Sequence, residues 1–65
     1  MNILEDLKDQ LKSEEDYMTC LIDNMKHSIE TRDYDHICRV AAEASQIKGR
    51  IETLKKTIYM IEKSF

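Results

Sequence analysis

The sequence predicts an all-α fold: a two-helix antiparallel hairpin, coiled-coil-like, that completes a four-helix bundle by dimerisation or by docking on a partner. Three observations point there. Proline is absent and Gly49 is the only glycine in 65 residues, whereas sheets, tight hairpins and irregular loops draw on both. Apolar residues recur every seven positions through the second half. One short polar break, Thr31-Arg32-Asp33-Tyr34-Asp35, separates that half from the first.

The second helix, about residues 36–64, carries the stricter pattern. Ile37, Ala44, Ile51, Ile58 and Phe65 occupy one heptad position, and Val40, Ile47, Leu54 and Ile61 occupy its partner. A sustained 3.5-residue repeat places such side chains on one narrow seam. Glu43, Lys48, Arg50, Lys55 and Glu62 fall on its shoulders.

The first helix, about residues 2–31, repeats the theme more loosely. Leu4, Leu11, Met18 and Met25 take one seam position, Leu7 and Leu21 the other, and Glu14 and Ser28 interrupt it. Ile22 and Ile29 widen the stripe, as in a straighter helix of period 3.6. The polar run Lys12-Ser13-Glu14-Glu15-Asp16 reads as an exposed stretch of one continuous helix, or as a kink capped through Ser13 and Asp16.

In the turn, about residues 32–35, Asp33 or Asp35 caps the second helix. So short a link makes the helices antiparallel, with facing residue numbers summing to about 68. Leu7 then meets Ile61, Leu11 meets Ile58, Met18 meets Ile51, Leu21 meets Ile47 and Met25 meets Ala44. Charge favours the same pairing. Residues 1–36 hold ten acids against four bases, and residues 37–65 hold six bases against three acids. The halves are therefore −6 and +3. In this register the Glu14 carboxylate reaches toward Lys55.

Residues 1–65 thus form a single hairpin, and so small a domain buries little surface by itself. Ile3, Tyr17, Ile22, Ile29, Ala41, Tyr59 and Met60 lie off the seam. Tyr17, Ile22, Ile29, Tyr59 and Met60 are the candidate interface, and the expected partner is protein: a second copy, a larger assembly, or both.

No catalytic, cofactor or metal site is expected. Cys20, His27, His36 and Cys38 lack the close spacings of zinc sites, and they read as two partly buried, reduced thiols and two surface histidines. A bare hairpin offers no cavity for a nucleophile, so the chain is not read as an enzyme. The net charge of −3 gives no general attraction to nucleic acid. Arg39, Lys48, Arg50, Lys55, Lys56 and Lys63 form the rival basic surface, with Tyr59 placed to stack. Helix one sets its acids beside them. A further reading makes helix one an acidic regulator of a host protein. The charged first eleven residues argue against a signal peptide, and no apolar run suits a membrane span. A cytoplasmic setting is expected.

Two resemblances follow from these residues. With Ile37-Cys38 opening the second helix, the architecture resembles that of the Rop family, plasmid-encoded RNA-binding proteins that form dimeric antiparallel four-helix bundles. That family binds RNA through basic, amide and aromatic residues of its first helix. Here Ile3, Gln10, Glu14 and Met18 stand at those places, so the likeness implies the architecture and not the RNA function. Asp33-Tyr34 followed by Gly49-Arg50-Ile51-Glu52-Thr53-Leu54 is similar to small bacteriophage-encoded helical proteins, often found among virion-structural genes. That likeness covers about 20 residues of a heptad pattern, and implies a structural or accessory binder in the host cytoplasm or the virion. Gly49 lies off the seam, where it either admits a close backbone neighbour or is simply exposed.

Overall fold

The computed structural model describes residues 2–64, which form two helices, α1 (Ile3–Thr31) and α2 (Tyr34–Ser64). Each boundary has a local cause. Asn2 is extended, and its side-chain oxygen accepts from the backbone N–H groups of Leu4 and Glu5, two of the donors a helix start leaves unpaired. Glu5 and Asp6 place negative charge in the first turn, where the helix dipole favours it.

α1 then runs unbroken through Lys12–Asp16, so Ser13 begins no second segment. It stops where Arg32 adopts the left-handed conformation (φ 59°, ψ 34°). The Arg32 N–H donates to the Ile29 carbonyl and the Asp33 N–H to the Ser28 carbonyl, closing acceptors that the helix end exposes. Asp33 Oδ1 accepts from the His36 N–H at 3.2 Å and so caps α2. The link is therefore Arg32-Asp33, shorter than residues 32–35, and Asp33 is the cap. Asp35 instead sits in the first turn of α2. One left-handed residue reverses the chain, so Tyr34 and Asp35 are free to be helical.

The hairpin is a rod of 49 × 16 × 13 Å. Leu21, Val40 and Ile47 are buried at its centre, packed by Met18, Met25, Ala44 and Ile51. Leu54 and Ile58 extend the buried strip, while Leu4, Leu7, Leu11, Ile37 and Ile61 are half-buried. Every seam residue expected from the heptads within residues 2–64 therefore turns inward. Phe65 lies outside the described residues.

The register is set by polar pairs on the two edges of the seam. Tyr17 pairs with Glu43, numbers summing to 60, while Lys8 with Glu62 and Glu15 with Lys55 each sum to 70. With Glu14 and Arg50 summing to 64, the edge pairs fall on either side of the expected sum of about 68. Met18, Leu21, Met25, Ala44, Ile47 and Ile51 still share one cluster, because each knob touches several residues of the facing helix.

The two seam interruptions are accommodated differently. Glu14 keeps its side chain only 16% exposed and reaches Arg50 at 3.5 Å. Lys55 does not take it, because Lys55 stands on the opposite edge and pairs with Glu15 at 3.8 Å. Ser28 is 2% exposed, and its hydroxyl donates to the Asn24 carbonyl. The bond lies inside α1, so a polar atom is buried without cost to its hydrogen bonding.

Candidate protein–protein interface

A two-helix rod covers one face of each helix and leaves two edges and two outer faces open. The edges differ in chemistry. One carries Lys8, Glu15, Ile22 and Ile29 from α1, seven residues apart, beside Glu62, Lys55, Lys48, Ala41 and Tyr34 from α2. Lys8–Glu62 at 3.2 Å and Glu15–Lys55 at 3.8 Å close its open end. Toward the turn it becomes apolar: Ile22 is 45% exposed, Ile29 58% and Tyr34 68%, with Ala41 exposed among them. This edge is polar at one end and oily at the other.

The second edge holds Tyr17 with Glu43 and Glu14 with Arg50. Tyr17 O–H donates to the Glu43 carboxylate, and that bond, with smaller contributions from desolvation and the negative charge, raises the phenol above its ordinary value of 10.0. The bond gives a tyrosine on this shoulder a partner across the hairpin, its hydroxyl satisfying the acid of the facing helix. Tyr17 is exposed, but it already has an intramolecular task.

Tyr59 and Met60 lie on the outer side of α2 toward its C-terminal end, both exposed. Lys63 Nζ sits 5.1 Å from the Tyr59 ring centroid, within cation–π range. Met60 lines a shallow groove with Thr57, Ile61 and Ser64. The five candidate interface residues are thus all exposed but do not share one face. Only Ile22 and Ile29 share an edge, two turns apart on α1. Sequence reasoning missed Tyr34 by placing it in the turn; its position seven residues before Ala41, in line with that edge, was the available signal.

Cys20 and Cys38 are both exposed rather than partly buried, because neither falls on the seam of its helix. His27 is exposed and His36 half-buried. Among the described residues no group of three or more His, Cys, Asp or Glu side chains is placed to hold a metal ion, and no helix is long and apolar enough to cross a membrane. A Cβ at Gly49 would meet no atom within 4 Å, so within the hairpin nothing requires glycine there. On the outer face of α1, Asp9, Asp16, Asp23 and Glu30 recur at seven-residue intervals, all exposed.

Comparison with protein-family models, curated proteins and solved structures finds no match to this chain.

Proposed function

We propose that the chain is a non-enzymatic protein-interaction module, a bacteriophage or mobile-element accessory protein that acts by self-association or by docking on a larger assembly. The observation that carries the interaction reading is the turn-proximal edge, which heptad spacing lines with Ile22, Ile29, Tyr34 and Ala41, each of them exposed. Single exposed apolar residues are ordinary. Several on one edge of a rod whose core is one strip wide make a surface that association covers. The origin reading rests on the resemblance to small phage-encoded helical proteins.

In this reading a homo-oligomer forms first, because one copy supplies to another the apolar strip that neither can cover alone. Two hairpins then make a four-helix bundle with the ion-paired ends left wet.

Sedimentation velocity across the micromolar range tests it. A concentration-dependent dimer is expected, weakened by at least tenfold in Ile29→Glu and more in Ile22→Glu/Ile29→Glu. A monomer that stays fully helical at the highest concentration overturns the self-association reading.

A further inference from the structure

The edge that carries the proposed self-association is asymmetric along its length, and that asymmetry selects how two copies meet. Resting on the reading above, we propose that a second copy of this chain docks edge to edge with both turns at the same end, related by a two-fold axis parallel to the helices.

The argument is one of matching layers. Going from the open end to the turn, the edge presents Lys8 with Glu62, Glu15 with Lys55, Ile22 with Lys48, and Ile29 with Ala41, with Tyr34 beyond. A two-fold axis along the rod keeps every layer level with its own copy. α1 of one hairpin then neighbours α2 of the other. Around the first layer the order becomes Lys8, Glu62, Lys8, Glu62, so each charge has opposite charges on both sides. Glu15 and Lys55 alternate in the same way. The Ile29–Ala41 layer meets itself, and the Lys48 stem covers Ile22 while its ammonium stays in water.

The opposite arrangement, with the turn of one copy over the open end of the other, reverses the layers. It sets Ile29 and Ala41 against the Lys8–Glu62 pair and Ile22 near Glu15 and Lys55. Ion pairs would lose water to apolar neighbours that return no hydrogen bonds, which is costly, and the apolar layers would find no apolar counterpart. Charge complementarity and apolar matching therefore favour the same copy-to-copy geometry.

Pulsed electron–electron resonance on a spin-labelled protein reads the difference. A single label goes on Asp35→Cys in a Cys20→Ser/Cys38→Ser background, and separately on Lys63→Cys in that background. Turns at the same end give inter-label distances below about 30 Å from both variants, as helices packed about 10 Å apart require once label linkers are added. Turns at opposite ends give distances approaching the 49 Å length of the rod from both, and that result overturns the arrangement while leaving self-association standing. Absence of any inter-label dipolar signal, with a monomer by sedimentation, overturns both. Using both ends guards against one label perturbing its site.

Discussion

Replacing Glu14 with leucine should stabilise the hairpin, and the size of the gain follows from where the carboxylate sits. Its side chain is 16% exposed, on a seam position between Leu11 and Met18 of α1. Burying a leucine there is worth about 1.5–3 kcal/mol. The change removes the Arg50 contact, whose guanidinium side is 61% exposed at 3.5 Å, and a pair that open to solvent is worth about 0–1 kcal/mol. The net gain is then about 1–2 kcal/mol, and each kcal/mol moves the melting midpoint of a domain this size by roughly 4–8 °C. Urea unfolding followed by far-UV circular dichroism measures it at one fixed protein concentration, since the proposed self-association would couple stability to mass action. The midpoint should rise with the slope unchanged. Glu14→Gln, which keeps the shape and drops the charge, should stay within about 0.5 kcal/mol of wild type. A loss of 1 kcal/mol or more in Glu14→Leu would refute the reasoning and make the Glu14–Arg50 pair a register lock.

Three further outcomes follow from single sites. Gly49→Ala should stabilise α2 by about 0.5–1 kcal/mol, because mid-helix glycine is entropically costly and the added Cβ meets open space; thermal melts check this, and a weakened dimer by sedimentation would place Gly49 at an interface. Arg32→Gly should stabilise by about 1 kcal/mol, since a left-handed φ of 59° strains any residue with a Cβ; an unchanged or lower urea midpoint would contradict that. Tyr17 should titrate above its ordinary range in a spectrophotometric titration, and Tyr17→Phe should remove that late component. The sign is that of a group whose folded pKa is raised. Its contribution is present below pH 10.0 and is lost as pH climbs through the raised value; a late component surviving in Tyr17→Phe would contradict the assignment to Tyr17.

Much of this architecture was legible because it depends on periodicity. A heptad of aliphatic residues from Ile37 to Ile61 admits one folded solution, a helix with one buried stripe, and the polar break with its two candidate caps, Asp33 and Asp35, marks where the chain must reverse. The turn's true length was not legible. Nothing in Arg32's identity announces a left-handed residue, a conformation that glycine or asparagine usually signals, so the sequence predicts a longer turn than the two residues found. The sequence likewise points Glu14 at Lys55, whereas the edge each cation occupies gives it Arg50. Cys20 and Cys38 were assigned by the habits of the residue type, which prefers burial, against a seam that excludes them both.

The sequence by itself determined two helices, their antiparallel sense and the stripe each buries, because those follow from local hydrogen-bonding geometry and the 3.5-residue repeat. Only the tertiary structure decided which off-seam residues stand together. Ile22, Ile29, Tyr34 and Ala41 come from two segments whose adjacency depends on the register at Arg32-Asp33. Tyr17, grouped with Ile22 and Ile29 because it too lies off the seam, stands on the other edge, where it bonds Glu43.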